Sequence, residues 1–298
     1  MPITRTFFKI NAGPRENIED TAKFFEMIIW ILRRLELTFL VVCDGVGGLN
    51  YGEVASAMGT NCLCSSLASK FSGGMSELDF SALSPDSVLS ILEKAFVFAN
   101  QTILDQSKTK PQFAGMATTA VCALILDKML YIASVGDSRC YLWRDGMIKQ
   151  LTNDHSEVQQ LMDQGLLTKQ EAKYHPGAHT ITQYLGKSSG FACETRLHRI
   201  VPGDVVMICT DGLTDVVPDR EIADSIRACK DGTLEFSYLP QYLIELALSL
   251  GTTDNITVLC SEYQPENEIF GRTATGAYPV AAAKILSHLN KENSDVNT

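Results

Sequence analysis

Four aspartates lie at the ends of apolar runs, where a strand would deliver a carboxylate to the edge of a sheet. Asp44 ends Phe-Leu-Val-Val-Cys, Asp137 follows Ser-Val-Gly, Asp211 follows Met-Ile-Cys-Thr, and Asp254 precedes Asn-Ile-Thr-Val-Leu-Cys. Carboxylates that meet at one rim raise each other's pKa unless a cation neutralises them. Oxygen ligands without His or Cys favour Mg²⁺ or Mn²⁺ over Zn²⁺. Asp-Gly and Asp-Asn are also ordinary turn sequences, so the residues alone leave open that the four lie on different edges.

The overall charge excludes one class of partner. Among the 298 residues 35 are acidic and 25 are Lys or Arg, which gives a net charge of -10 and a pI near 5.0. Binding to a phosphate backbone needs clustered Lys and Arg, so no nucleic-acid partner is expected. A chain of this length can bury a core large enough to fold without disulfides or a structural metal. Any bound metal is therefore free to serve a function.

Cysteine usage and hydropathy predict a cytoplasmic protein that does not act at a membrane. The nine cysteines are an odd number, and several lie within apolar runs, where a thiol behaves as a small hydrophobe. Residues 1–13 lack the basic and apolar regions of a secretory signal. The most hydrophobic stretch, Phe24 to Val42, contains Arg33, Arg34 and Glu36 and is too charged to span a bilayer.

The elements that must position the four aspartates fall into two groups. Two helical segments, 53–71 and 87–106, precede short β-type runs joined by tight turns such as Arg144-Asp145-Gly146. Sequential hairpins pair antiparallel, and helices grouped apart from them indicate an α+β fold rather than a doubly wound parallel sheet. Residues 155–180 are polar and predict a surface excursion with short helices. The predicted strands are 3–10, 37–43, 118–126, 129–135, 140–143, 147–151, 196–200, 205–209 and 256–261, and the later helices are 219–229 and 238–250.

Three short patterns are similar to motifs of other kinds of site, but each lacks a glycine that its motif needs. The first glycine-rich turn has Asn50 where a dinucleotide-binding G-x-G-x-x-G motif needs its last glycine. Gly186-Lys187-Ser188 could end a P-loop, but Ile181 occupies the position of its first glycine. Cys193 and Arg199 have the C-x5-R spacing of cysteine-dependent phosphatases, yet no glycine between them lets backbone N–H groups converge on a phosphate. A thiolate nucleophile is therefore not expected.

Eight short motifs follow one another along the chain. They are Arg15-Glu16-Asn17-Ile18-Glu19-Asp20, Cys43-Asp44-Gly45-Val46-Gly47-Gly48, Gly115-Met116-Ala117-Thr118-Thr119-Ala120, Val135-Gly136-Asp137-Ser138-Arg139, Leu151-Thr152-Asn153-Asp154-His155-Ser156, Ile181-Thr182-Gln183-Tyr184-Leu185-Gly186, Thr210-Asp211-Gly212-Leu213 and Asp254-Asn255-Ile256-Thr257. In this order, over about residues 3–262, the chain resembles the metal-dependent serine/threonine protein phosphatases of type 2C, in their bacterial style.

The resemblance implies a fold and a domain arrangement. The fold is a four-layer sandwich, in which two antiparallel β-sheets are flanked by α-helices. Residues 1–264 would form the phosphatase domain, with a flap beside the active site at about residues 156–180. Residues 265–298 would form a C-terminal tail, in which an amphipathic helix is predicted at 281–289.

The resemblance also implies a two-ion metal centre of Mn²⁺ or Mg²⁺ that activates a water for attack on phosphorus. By motif, Asp44 bridges the two ions, Asp211 and Asp254 complete one of them, and the Gly45 carbonyl completes the other. The remaining implied ligands are Glu19, which acts through bound waters with support from Asp20, and Asp137, which shares a third, weaker ion with Asp211.

Arg15 matches the arginine that holds the substrate phosphate in this family, where its planar, permanently charged fork suits phosphate oxygens. The implied function is the hydrolysis of phosphoserine and phosphothreonine in proteins. The expected partners are phosphorylated proteins, substrates of a serine/threonine kinase, and the chain is expected to act as a monomer.

Several positions depart from the family pattern. Val46 stands where many eukaryotic members carry a histidine proposed as general acid, and Ile18 and Leu49 also differ from the usual residues. A structural hydrogen bond is the favoured role for His155. Two alternatives stay open: a catalytically silent phosphoprotein-binding relative, and a regulatory module that acts through the tail. A silent relative usually lacks a metal carboxylate, and none of the expected carboxylates is missing here.

Overall fold

A computed structural model of the chain describes residues 4–30, 34–46, 51–72 and 84–264. Ten strands and seven α-helices lie in these ranges. The strands are β1 (Thr4–Asn11), β2 (Asp20–Trp30), β3 (Arg34–Asp44), β4 (Ala120–Leu126), β5 (Met129–Val135), β6 (Arg139–Arg144), β7 (Met147–Gln150), β8 (Glu194–Arg199), β9 (Val205–Cys209) and β10 (Ile256–Tyr263). The helices are α1 (Gly52–Ser72), α2 (Pro85–Thr109), α3 (Glu157–Asp163), α4 (Lys169–Ala172), α5 (Asp211–Thr214), α6 (Asp219–Lys230) and α7 (Leu239–Ser249).

Strand β3 shows why the layers stack as they do. Phe39 and Val41 belong to one buried core, whereas Leu40 and Val42 belong to another. Successive side chains of a strand point to opposite faces, so both faces of β3 are covered. A continuous apolar run is what such a doubly covered strand requires.

The strands form two antiparallel five-stranded sheets, in the orders β1-β10-β9-β6-β7 and β2-β3-β4-β5-β8. Leu40 of one sheet and Ile208 of the other share the core between the sheets. Helices α1 and α2 cover the outer face of the second sheet, with Leu63 and Phe96 buried there. Helices α5, α6 and α7 cover the outer face of the first sheet. The predicted α+β sandwich of four layers is therefore confirmed.

Most predicted elements are confirmed, and one strand was missed. Strands β5 and β9 have the predicted bounds, and the other predicted strands and helices agree within three residues at each end. The missed strand, β2, pairs with β3 along its whole length, from Asp20 opposite Asp44 to Trp30 opposite Arg34. It is an edge strand whose Lys23, Phe24 and Glu26 are exposed, so its sequence lacks a clean alternation. Among the described residues, no helix has both the length and the hydropathy to cross a bilayer.

The flap, residues 156–180, contains helices α3 and α4. Ser156 Oγ accepts a hydrogen bond from the Gln159 N–H at 3.2 Å and caps α3. Thr168 and Glu171 form a capping box at α4. An isolated bridge between Ser156 and Ile181 closes the segment at its base. The predicted tail, residues 265–298 with its helix at 281–289, lies outside the described residues.

Candidate metal centre

One end of the sandwich collects carboxylates from several chain segments. Strand β3 ends at Asp44, directly opposite Asp20, the first residue of β2. Asp211 follows β9, and Asp254 precedes the neighbouring strand β10 of the other sheet. Together with the turn after β5, these segments border a cleft of about 400 Å³. Six of the predicted site residues line the cleft: Arg15, Asp44, Gly45, Asp137, Asp211 and Asp254.

The backbone of Asp44 is held by the segment that leads into β4. The Thr119 N–H and the Thr118 hydroxyl donate to the Asp44 carbonyl oxygen at 2.8 and 2.7 Å. The Asp44 N–H donates in turn to Thr119 Oγ1 at 3.1 Å. The next residue, Gly45, donates its N–H to the Glu19 carbonyl oxygen at 3.1 Å. These bonds hold Asp44, Gly45 and Glu19 in one corner of the site.

The loops that carry Asp211 and Asp254 approach each other so closely that only glycine fits between them. A methyl group on Gly212 would lie 1.9 Å from the Asn255 carbonyl oxygen. The Thr252 hydroxyl donates to the Gly212 carbonyl oxygen at 2.8 Å and spans the same gap. The Asp-Gly and Asp-Asn pairs, each an ordinary turn sequence by itself, therefore bring two carboxylates to one place.

Asp20 links the two sheets at this end of the sandwich. It is almost completely buried, and its Oδ2 accepts hydrogen bonds from the hydroxyls of Thr210 at 3.0 Å and Thr257 at 2.7 Å. Burial raises the pKa of Asp20 to about 6, although both hydroxyls stabilise its charged form. Asp20 therefore sits beside Asp44 with a reduced tendency to ionise.

Burial and mutual repulsion also raise the pKa of the carboxylates that line the cleft. Burial, reinforced by Asp20 and Asp211, holds the pKa of Asp44 well above its ordinary value. Burial and the charge of Asp137 do the same to the pKa of Asp211. Burial and neighbouring Asp154 raise the pKa of Asp137 to about 6. A cluster that resists ionisation in this way gains stability from any cation that it binds.

Among the residues that the structure describes, three carboxylate oxygens at this end are buried without a hydrogen-bond partner: Glu19 Oε2, Asp20 Oδ1 and Asp211 Oδ1. A buried acceptor without a partner costs free energy, and folded proteins generally satisfy such atoms with a protein group, water or an ion. The donor set is made of carboxylates and a carbonyl, which hard divalent cations prefer. The residues present therefore fit Mg²⁺ or Mn²⁺.

Arg15 reaches the cleft from the segment that joins β1 to β2. Its Nη2 lies 2.6 Å from Asp254 Oδ2, and its Nη1 lies 4.0 Å from Glu19 Oε2. The Arg15 side chain is 38% exposed, so part of the guanidinium is open to solvent. Of the described residues that line the cleft, it is the one Lys or Arg. Arg15 therefore offers the cleft a permanent positive charge for an anionic ligand.

Two predicted site residues, Glu19 and Asp20, stand behind the residues that line the cleft. Glu19 lies beside the first turn of α1, where a methyl group on Gly52 would come 3.1 Å from Glu19 Oε2. Burial raises the pKa of Glu19 even though Arg15 opposes the shift. From this position Glu19 and Asp20 can contribute to a metal centre although they do not line the cleft.

Two residues that line the cleft, Asp215 and His179, were missed by the sequence reasoning. Asp215 comes four residues after Asp211, a spacing that places two helical residues on one face and could have indicated it. His179 comes from the flap, and its Nδ1 lies 3.7 Å from Asp215 Oδ2. With Asp211, these side chains offer three ligand atoms within 4.8 Å of one another. No local pattern predicts His179, because its place depends on how the flap folds back.

The structure also describes most of the residues that depart from the family pattern or offer an alternative chemistry. Val46 lines the cleft, and its side chain has no proton to give. His155 Nδ1 accepts a hydrogen bond from the Gly136 N–H at 3.2 Å, and burial lowers the pKa of the imidazole, which suits a structural role. Burial raises the pKa of Cys193 to about 11, so its thiol is not ionised at neutral pH. Leu49 lies outside the described residues.

Comparisons with known proteins show which family this chain resembles in sequence and in fold. The model of the family described as Protein phosphatase 2C matches residues 23–236. The chain is 31% identical over 248 residues to the serine/threonine phosphatase stp of Listeria monocytogenes serotype 4b (strain F2365), with 83% of this chain and 91% of that protein covered. The structure of the serine/threonine phosphatase Stp1 from Staphylococcus aureus superposes with a TM-score of 0.73 at 29% identity, over 88% of this chain and 96% of that one. The catalytic domain of the serine/threonine protein phosphatase PstP, solved in complex with 2 manganese ions, superposes with a TM-score of 0.69 at 27% identity, over 89% of this chain and 100% of that one.

Proposed function

The chain belongs to the protein phosphatase 2C family, and from this premise we propose that it hydrolyses phosphoserine and phosphothreonine esters in proteins with the help of divalent cations. The observation that carries the proposal is the set of buried carboxylate oxygens without a hydrogen-bond partner around one cleft. Each carboxylate that the family resemblance implies is present in the sequence. The chain therefore has the residues of an active member rather than those of a silent one.

Two divalent cations at this centre would supply a water that is nucleophilic at neutral pH and positive charge for the phosphate oxygens. Asp211 and Asp254 would hold one ion, the Gly45 carbonyl would hold the other, and Asp44 would serve both. Asp44 suits this shared role because it directly precedes Gly45. It also lies near enough to four other carboxylates for their charges to raise its pKa: Asp20, Asp211, Asp137 and Asp254. Glu19 and Asp20 would hold the second ion from behind.

Arg15 would bind the phosphate group of the substrate. Its guanidinium now rests on Asp254, a carboxylate that the proposal also gives to a metal ion. A cation held by Asp254 would compete with Arg15 for that carboxylate, and the guanidinium could then donate two parallel hydrogen bonds to phosphate oxygens. Val46 cannot protonate the leaving oxygen, so the proton would come from water or from another group in the cleft.

A third, weaker cation site at Asp137 and Asp211 completes the proposal. Both side chains line the same cleft, and the charge of Asp137 is the largest neighbouring influence on the pKa of Asp211. Calorimetric titration with Mn²⁺ should lose its weakest binding step in Asp137→Ala and keep the tighter ones. An unchanged titration would remove the third site from the account.

Phosphate release from a phosphothreonine peptide, with and without Mn²⁺, tests the proposed function directly. We expect release that Mn²⁺ stimulates and a chelator abolishes, with Mg²⁺ as an alternative cofactor. A folded protein that binds phosphopeptide without metal-stimulated release would instead support the silent, phosphoprotein-binding alternative. Comparing the rate of the full chain with that of a chain ending at Gln264 tests whether the tail regulates the reaction, and we expect equal rates. We also expect both proteins to be monomers.

A further inference from the structure

Asn255, the residue after Asp254, uses every polar atom of its side chain. It is 1% exposed. Its Oδ1 accepts a hydrogen bond from the Glu19 N–H at 2.7 Å, and its Nδ2 donates to the carbonyl oxygens of Ala12 at 2.8 Å and Asn17 at 2.9 Å. All three partners lie in the segment 12–19, more than two hundred residues away in sequence, that joins β1 to β2.

These hydrogen bonds fall on both sides of Arg15. Ala12 precedes Arg15, and the Ala12 carbonyl oxygen also accepts the Arg15 N–H at 3.2 Å. Asn17 and Glu19 follow Arg15 in the chain. Because the segment is anchored before and after Arg15, the backbone that carries the guanidinium has little freedom to move away from Asp254.

The same segment touches the Asp254 backbone at a second point. Gly13 has a φ of +60°, and a methyl group there would lie 2.1 Å from the Asp254 carbonyl oxygen. Only glycine accepts both that conformation and that approach. The contact at Gly13 and the hydrogen bonds of Asn255 therefore hold the same turn against two adjacent residues, Asp254 and Asn255.

We propose that Asn255 is a positioning residue that fixes where the Arg15 guanidinium stands relative to Asp254 and the metal ligands. The inference rests on the proposed function, because it takes Arg15 to bind the phosphate of the substrate. An amide suits the task since it offers an acceptor and two donor hydrogens in one plane. A carboxylate at this position would turn an oxygen toward two carbonyl oxygens. A methyl group would remove the side-chain hydrogen bond to each of the three partners and leave the Ala12 carbonyl oxygen only the Arg15 N–H.

A double-mutant cycle tests the proposal on a phosphothreonine peptide at saturating Mn²⁺. Asn255→Ala should raise KM and the inhibition constant of inorganic phosphate about tenfold, with a smaller effect on kcat, because the phosphate-binding group is displaced. Asn255 acts through Arg15, so adding Asn255→Ala to Arg15→Ala should change phosphate binding no further. The control is Asp204→Asn, since Asp204 is buried against Arg144 at the far end of β9 and its loss should leave both constants unchanged.

The following outcomes would overturn the positioning role of Asn255. A folded Asn255→Ala protein with wild-type KM and phosphate inhibition, or effects that multiply with those of Arg15→Ala, would overturn the positioning role. Unchanged constants in Arg15→Ala would instead remove the phosphate role of Arg15, and the inference with it. If Asn255→Ala does not fold, Gly13→Ala replaces it, because its methyl group pushes the same turn off Asp254. We then expect the same rise in KM and in the phosphate inhibition constant, and unchanged values would contradict the proposal.

Discussion

Strands β9 and β10 lie side by side and have carboxylates at both ends. At the end with Asp204 and Glu262, here called the paired end, the carboxylates have close basic partners. The other end, with Asp211 and Asp254, borders the cleft and is called the cleft end. At the paired end, before β9, Asp204 is 1% exposed and accepts hydrogen bonds from Arg144 on both oxygens, at 2.8 and 2.6 Å. Glu262, near the end of β10, is held there by Lys230 and Arg5. At the cleft end, Asp211 has a buried oxygen without a partner, and Asp254 shares Arg15 with Glu19. Along the strands the two ends are roughly 20 Å apart.

The pKa shifts of Glu262 and Asp211, one at each end, have opposite directions. Burial alone would raise the pKa of Glu262, but hydrogen bonds from Lys230, Arg5 and Gln264 outweigh it and hold the pKa below its ordinary value. Burial and the charge of Asp137 hold the pKa of Asp211 well above its ordinary value. The paired end therefore stabilises the folded protein at neutral pH, whereas the cleft end costs stability until a cation binds. Asp204 and Glu262 each have close basic partners, whereas Asp44, Asp137 and Asp211 at the cleft end have no ion pair with Lys or Arg among the described residues and Asp254 pairs with Arg15.

The largest expected effect comes from removing a charge at the cleft end. Asp44→Asn and Asp211→Asn should each lower kcat by about 10³-fold or more, because each removes a charged ligand from the centre that activates the water. The measurement is phosphate release at saturating Mn²⁺, with folding checked by circular dichroism. If either folded variant kept turnover within tenfold of the wild type, the cleft end would not be the metal centre.

The same kind of substitution at the paired end should affect stability instead. We expect Asp204→Asn to lower the free energy of unfolding by about 2 kcal/mol, because Arg144 loses its charged partner but stays partly exposed to water. Urea unfolding measures this loss. The kcat and KM of the folded variant should equal those of the wild type, and a large fall in kcat would erase the distinction between the two ends.

A smaller effect follows from pH at the paired end. A carboxylate whose folded pKa is lowered contributes stability above its unfolded pKa and loses that contribution as pH falls through the folded pKa. The stability difference between wild type and Glu262→Gln should therefore be full at pH 7 and shrink as the pH falls below the ordinary value of 4.5. Unfolding curves from pH 7 to pH 3 test this, and a difference that grew toward low pH would contradict the sign of the shift.

The last substitution, at Cys193, should have no effect on activity. Cys193→Ser should leave kcat and KM unchanged, since burial raises the pKa of this thiol to about 11 and the residue does not line the cleft. The assay is the same phosphate release at saturating Mn²⁺. Loss of turnover in a folded Cys193→Ser protein would place chemistry outside the cleft end and revive a thiolate nucleophile.

The sequence predicted what local patterns encode. Apolar runs bounded by turns predicted β5 and β9 to the residue, and the aspartates at strand ends marked the cleft. Edge strand β2 was not predicted because each of its faces mixes a charged residue, Lys23 on one and Glu26 on the other, with apolar residues. Periodicity reports which faces are buried, so a strand with a mostly exposed face gives a weak signal.

The long-range contacts could not be predicted from these patterns. His179 enters the cleft from the flap, and Asn255 binds a turn at the other end of the chain. Nothing in the neighbouring residues of either one encodes its partner. The family resemblance supplied the candidate ligands, but the hydrogen bonds that hold them in place needed the three-dimensional structure.

The central claim is that the unpaired carboxylates at the cleft end are there to bind metal. Urea unfolding of the wild type and Asp211→Asn, each in a chelator and in Mn²⁺, tests it most directly. In the chelator, Asp211→Asn should be at least as stable as the wild type, because an acidic group whose ionised form is disfavoured by burial is replaced by a neutral amide. Mn²⁺ at a hundredfold excess over its dissociation constant should stabilise the wild type by about 2.7 kcal/mol for each ion bound, and the variant much less. A variant that is less stable in the chelator, or equal stabilisation of both proteins by Mn²⁺, would contradict the account.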